Sequence, residues 1–314
     1  MPHGRVIVFG YGELALASLD TLGRLGVTPV AVVVPGNRTS PDVTMVTDHV
    51  RSSSLTLLVQ PPRARLAPFL AEVRALSPDL LLVWSYSMLL PPDLIALAPR
   101  GAINVHGGLL PEYRGGHVMN WAIANGESET GVTLAHIDAG IDTGAVIAEQ
   151  RFPIEWRDDA ASVRQKLKVT GERLLETWWP AIEAGTAPAV AQDESRARYH
   201  RMRTAADGRI DWSRSNVEIY NLVRALVAPW PGAFTSIGSA RLVLRQVEPV
   251  ASISPAAPGT VVRCDDEIRI SSGGGDVLVR ATEVNGRLAT IADLRHLGLV
   301  EGVRLAFATP ETVR

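Results

Sequence analysis

The sequence predicts a doubly wound, mostly parallel α/β domain followed by a smaller β-barrel domain. Down to about residue 150, short all-apolar runs alternate with amphipathic helical stretches, the pattern of parallel strands buried on both faces. After a polar connection from Gln192 to Thr204, the chain turns to short strands cut by Gly, Pro and Asp, as in a small barrel or sandwich. The 314 residues also exceed the roughly 250–300 at which one core stops growing. A boundary near Arg203 is expected, giving domains 1–203 and 204–314.

The elements follow in order. Val6 to Phe9 ends in Gly10-Tyr11-Gly12, after which Leu14, Leu16, Leu19 and Leu22 recur at helical spacing up to Gly26. Val30 to Val34, closed by Pro35-Gly36, completes a right-handed βαβ unit. Thr56 to Val59, the amphipathic stretch Leu66 to Leu76, and the strands Leu80 to Val83 and Gly101 to Val105 extend it. Leu167, Leu174, Leu175 and Trp178 mark a helix over Val163 to Ile182 that closes the first domain. Beyond the boundary, a helix around Val217 to Leu226 precedes strands at Leu242 to Val247, Gly259 to Val262, Ile268 to Ile270 and Val277 to Ala281.

Composition narrows the function. With 46% hydrophobic and 20% charged residues the chain is an ordinary folded protein. A formal charge of −2 without a Lys/Arg run leaves no electrostatic footprint for nucleic acid or an anionic membrane. The apolar run at Leu80 to Trp84 and Met88 to Leu90 is far short of the ~20 residues of a membrane helix, and no signal peptide is expected ahead of Val6. Cys264, the single cysteine, rules out an intramolecular disulfide and a several-cysteine zinc site and fits a reducing cytoplasm. No metal is expected.

Gly10-Tyr11-Gly12 invites a dinucleotide reading, but Ala15 stands at the third glycine position and Val32 to Gly36 holds no acidic residue for a ribose. A tight turn packing helix on sheet accounts better for it. The denser stretch is Ala102 to Gly116. Asn104 and His106 share one face of a strand, because side chains alternate, and precede a glycine turn at a strand end, where such sheets place ligands. A side-chain amide can donate to a developing oxyanion and an imidazole can exchange protons near neutrality, a combination suited to acyl transfer. Downstream, a carboxylate at Asp142 could orient that imidazole, whereas Asp138, among small residues, reads as an Asx-turn.

Asn104-Val105-His106, Leu109-Leu110-Pro111-x-Tyr113-Arg114-Gly115, Glu129-Thr130-Gly131-Val132-Thr133 and Asp142-Thr143-Gly144 resemble, in order, the signature of the folate-dependent formyltransferases. Gly208 to Trp212, Arg224-Ala225 and Pro229 to Phe234 resemble the start of that family's C-terminal barrel. The resemblance implies a Rossmann-like catalytic domain with an OB-like barrel, and transfer of a formyl group from 10-formyltetrahydrofolate to an amine. It implies Asn104, His106 and Asp142 as catalytic residues. Met88, Leu89 and Leu90, with the loop His136, Ile137, Asp138, Ala139 and Gly140, would hold the pteridine, and Tyr113, Arg114, His117 and Asn120 would meet the acceptor. Gly108 departs from the family, which usually has serine there, so slower or altered acceptor placement is expected.

The family's members differ in acceptor. The loop Pro35 to Asp42 offers one Arg and one Asp, too little to neutralise several phosphates of a tRNA. Arg114 to Trp121 with Asn125-Gly126-Glu127 is more similar to the aminosugar formyltransferases. A nucleotide-linked aminosugar is therefore the expected acceptor, with hydroxyornithine and methionyl-tRNA as alternatives inside the family. Outside it stand a nicotinamide oxidoreductase and an inactive binding module. A homodimer is left open.

Overall fold

The computed structural model describes residues 4–252 and 254–305. The chain forms two compact units, one of residues 1–118, 130–152 and 165–200, the other of 119–129, 153–164 and 201–314.

In the first unit, strands β1 (Val6–Gly10), β2 (Ala31–Pro35), β3 (Thr56–Gln60), β4 (Leu80–Trp84), β5 (Ala102–His106), β7 (Glu129–His136) and β8 (Val146–Pro153) form one sheet; β6 (Arg114–Gly115) pairs separately with β9 (Tyr199–His200). The order is β3-β2-β1-β4-β5-β7-β8. The five strands from β3 to β5 run parallel, and β7 lies antiparallel to β5. Strands β1, β2 and β4 are buried at every position, which is why they read as unbroken apolar runs. On one side Ile7, Phe9, Val33, Leu81 and Val83 pack with Phe69 and Val73 of helix α3 (Leu66–Ala75). The turn into α1 (Gly12–Arg24) is close-packed: a Cβ on Gly10 would meet the carbonyl oxygen of Trp84 at 2.5 Å and Cβ of Ala15 at 2.7 Å. The Gly-x-Gly pattern is thereby explained by helix-on-sheet packing.

Helix α2 (Pro41–Arg51) is absent from the sequence expectation, which treated 35–42 as loop. Only Val46 and Val50 are buried on it, too thin a stripe for a periodicity signal. Its start was nevertheless written in Ser40-Pro41, since the Ser40 side chain accepts from Val43 N and Pro41 occupies the first turn. The short α4 (Pro92–Ile95) and most of the 25-residue α6 (Ala160–Ala184) also belong to this unit, whereas α5 (Val118–Ala124) falls almost wholly in the second.

The second unit contains α7 (Asn216–Ala225), started by a capping box between Ser215 and Glu218, and an antiparallel, barrel-like sheet. Its strands are β10 (Ala233–Ile237), β11 (Ala240–Val250), β12 (Val261–Cys264), β13 (Ile268–Ser272), β14 (Gly275–Val284) and β15 (Arg287–Leu288), in the order β10-β11-β14-β13-β12 with β15 beside β14. Helix α8 (Ile291–His296) follows. Trp212 is wholly buried in this unit, its indole N–H donating to Thr235 at 3.2 Å.

Candidate active site

The site is built at the C-terminal end of β5. Alternation along that strand sends Asn104 and His106 to one face, and the turn at Ile141 to Thr143 brings Asp142 to meet both. The Asn104 amide donates to Asp142 Oδ1 at 3.3 Å, and its second N–H has no partner among the described residues. His106 Nδ1 lies 3.6 Å from the same oxygen. The backbone N–H of Gly115 donates to Asp142 Oδ2 at 2.8 Å. The His106 and Asp142 side chains are 7% and 16% exposed, so their charges act with little screening by water.

The tautomer of His106 follows from its other nitrogen. Nε2 is 2.6 Å from the carbonyl oxygen of Tyr113, and a carbonyl can only accept, so Nε2 carries a proton and donates it. A neutral ring then points the lone pair of Nδ1 toward the Asp142 carboxylate. Nδ1 can therefore act as a proton acceptor, and the Asn104 amide can donate to a negative oxygen.

Two glycines shape the surroundings. Gly115 has φ +100°, and a Cβ there would lie 2.2 Å from the His200 carbonyl oxygen. No other residue can therefore supply this backbone N–H to Asp142 without moving β6. At Gly108 a Cβ would sit 3.0 Å from Val118 Cγ2, 3.1 Å from Tyr113 Cβ and 3.3 Å from His106 Nε2. The missing serine at this position thus coincides with tight packing around the imidazole.

The other expected site residues fall as follows. Leu90 is buried in the core, and Ile137 is partly buried against the same cluster of side chains. Met88 is half-buried and Leu89 is 70% exposed. Asp138 and Ala139 are exposed, and Asp138 accepts from Gly140 N at 3.0 Å and Thr143 Oγ1 at 2.5 Å in a local turn. Tyr113 stacks on His200 with centroids 4.5 Å apart. His117 is half-buried in a left-handed backbone conformation, φ +54°. Asn120 belongs to the second unit, is buried, and donates to the Ala225 carbonyl at 2.7 Å. Arg114 is fully buried, and all five of its N–H groups are engaged by Gln192, Glu194 and Tyr199.

Residues that the sequence did not single out also contribute. The amide of buried Gln60 donates to the Leu89 carbonyl at 3.1 Å and accepts from the Tyr86 hydroxyl at 2.9 Å, tying down the turn after β4. Burial pushes the Tyr86 phenol above its ordinary range. Thr133 donates to the Gly108 carbonyl at 2.8 Å and fixes the glycine turn. Gln60 carried no signal beyond its place at a strand end. Gln192 lay in a stretch that read only as polar linker.

Fold and site together present a doubly wound enzyme with an arrangement suited to acyl transfer. Residues 6–177 match the Formyl transferase family and residues 203–294 match the Formyl transferase, C-terminal domain, family. The chain therefore belongs to the formyl transferase family and is a formyltransferase. Its fold is similar to WlaRD, a sugar 3N-formyl transferase crystallised in the presence of dTDP and 5-N-formyl-THF, at TM-score 0.69 and 17% identity over 91% of this chain and 100% of that one. It is similar also to an N-formyltransferase from Helicobacter canadensis in complex with folinic acid and dTDP-3-aminofucose, at TM-score 0.69 and 20% identity over 88% and 98%. HypX from Aquifex aeolicus in complex with tetrahydrofolic acid shares the fold at TM-score 0.62 and 20% identity over 95% of this chain and 47% of that one. Among the described residues no helix is long and apolar enough to cross a membrane.

Proposed function

We propose that the enzyme transfers the formyl group of 10-formyltetrahydrofolate to the primary amine of a nucleotide-linked aminosugar in the cytoplasm. The observation that carries the formyl-transfer reading is the convergence of Asn104, His106 and Asp142 in one partly buried cluster at the end of β5. The amine nitrogen attacks the formyl carbon. The free N–H of Asn104 stabilises the oxyanion, and the proton shed by the amine passes to His106 Nδ1 beside Asp142. The bond from the formyl carbon to the folate nitrogen then breaks, and that nitrogen recovers a proton. That Leu90 and Ile137 join the same core cluster fits a pteridine held between the backbones of 88–90 and 136–140.

The acceptor assignment is supported by the likeness of Arg114 to Trp121 to the aminosugar enzymes, and by two similar folds whose structures hold dTDP or dTDP-3-aminofucose. Against tRNA stands the loop after β2, whose single Arg38 is stacked on Tyr11 at 4.5 Å and donates to its hydroxyl at 2.8 Å. The test is a panel of dTDP- and UDP-linked aminosugars, hydroxyornithine and methionyl-tRNA, each offered with 10-formyltetrahydrofolate. Tetrahydrofolate release and the mass of the formylated product are followed. Turnover of an aminosugar nucleotide is expected. Efficient formylation of methionyl-tRNA, weakening steeply with salt, would overturn the acceptor assignment.

A further inference from the structure

We propose that Gln192 is a positioning residue which, braced by Arg114, holds Asp142 in its working geometry. The proposal rests on the reading of Asp142 as part of the transfer site. Asp142 sits in the left-handed region, φ +54°, a conformation that a non-glycine residue keeps only when its surroundings impose it. Gln192 imposes it. Its Nε2 donates to the Asp142 carbonyl at 2.8 Å and to the Gly144 carbonyl at 2.7 Å, clamping the turn on both sides of Thr143. Its Oε1 accepts from Arg114 Nε at 3.1 Å and Nη2 at 2.9 Å. All four hydrogen-bonding positions of the amide are filled, which fixes its orientation without ambiguity.

Arg114 is anchored in turn. Nη1 and Nη2 reach the two carboxylate oxygens of Glu194 at 2.9 and 2.6 Å, and Nη1 also donates to the Tyr199 hydroxyl at 2.9 Å. With no surface exposure and no donor to spare, this guanidinium has nothing left for a substrate. Its backbone closes a ring. The N–H of Arg114 donates to the Arg198 carbonyl and that of Gly116 to His200, while the intervening Gly115 N–H holds Asp142 Oδ2. One segment, Gln192 to His200, therefore fixes both the backbone of Asp142, through Gln192, and its carboxylate, through β6.

The experiment compares Gln192→Ala, Gln192→Glu and Asp142→Asn, singly and as the double variant Gln192→Ala/Asp142→Asn. Gln192→Glu keeps the shape and the Arg114 contact but replaces two donors by an anion facing two carbonyl oxygens. Both single changes at Gln192 are expected to lower kcat about ten- to a hundredfold, with KM for 10-formyltetrahydrofolate within about threefold, because Gln192 touches neither folate segment. The double variant is expected to be no worse than Asp142→Asn alone, since the brace works only through that carboxylate. A general loss of structure would multiply instead. If Gln192→Ala misfolds, Gln192→Glu carries the comparison. Undiminished kcat in the Gln192 variants, or a double variant worse by the product of the singles, overturns the brace while Asp142→Asn remains damaging. If Asp142→Asn itself leaves turnover intact, the reading of the site fails with it.

Discussion

Asp142→Asn keeps the side chain's shape and removes its charge, and the structure says where each new atom must go. Oδ2 accepts the Gly115 N–H at 2.8 Å, so the amide oxygen takes that place. The new NH2 group then stands where Oδ1 was, 3.3 Å from one amide donor of Asn104 and 3.6 Å from His106 Nδ1. Two donors cannot face each other, so Asn104 must turn, which in the proposed mechanism costs the oxyanion its aligned N–H. In that mechanism the imidazole also loses the anion that stabilises it after it takes the amine proton. At 3.6 Å a pair of unit charges is worth about 4 to 5 kcal/mol at an effective dielectric of about 20. Allowing for the residual exposure of Asp142, a loss of about 3 kcal/mol in the transition state is expected, a hundred- to thousandfold in turnover. The assay is tetrahydrofolate release at saturating donor and acceptor, with folate binding measured separately and expected to change less than threefold. Asp138→Asn is the control, because an amide oxygen can still accept from Gly140 and Thr143. If Asp138→Asn abolishes turnover while Asp142→Asn leaves it nearly intact, the wrong carboxylate has been assigned to the reaction.

Three further outcomes are expected. Gly108→Ser, which restores the residue usual in the family, should slow turnover several-fold, because its Cβ must displace Tyr113 or Val118 and presses on His106 Nε2; steady-state kinetics showing unchanged or faster turnover would refute this. Tyr86→Phe should flatten the alkaline stability curve. The phenol's raised folded-state pKa means that its neutral form is stabilised, a contribution complete below the ordinary pKa of about 10 and lost as pH rises above it, at up to about 1.4 kcal/mol per pH unit. Denaturant titrations at pH 8 to 11.5 should show the wild type falling faster than the variant. Asn104→Ala should cost on the order of a hundredfold in turnover by removing the oxyanion donor, with folate binding preserved; a drop in binding alone would place Asn104 in the cofactor site instead.

Much of the fold was legible because parallel strands buried on both faces leave unbroken apolar runs, and β1, β2 and β4 are buried at every residue. Helix α2 escaped for the opposite reason: it buries two valines and its identity rests on the cap at Ser40, a local hydrogen bond rather than a periodicity. The shared face of Asn104 and His106 was legible from alternation, and their strand-end placement from the glycine turn that follows. The meeting of Asp142 with them depends on β7 running antiparallel beside β5, and no pattern within either strand announces that pairing. Resemblance to a family supplied the connection.

The contributions of Arg114 and Gln192 show a different limit. In sequence, an arginine inside a glycine-rich motif is an open cation awaiting a substrate, and a glutamine in a polar stretch is linker. Which of these a polar residue becomes is decided by how many of its donors the fold itself consumes, a quantity defined only once residues 78 and 80 positions apart are brought together. For Arg114 the count is complete at five, so its charge is spent inside the protein, and in the proposed brace its effect on chemistry passes through Gln192. For Asn104 the count stops at one of two, and the unspent N–H lies beside the imidazole and carboxylate. Residues of the same polar character thus divide into those whose hydrogen-bonding groups the fold consumes and those left with a group to offer a substrate, and the division follows from hydrogen-bond saturation rather than from residue type.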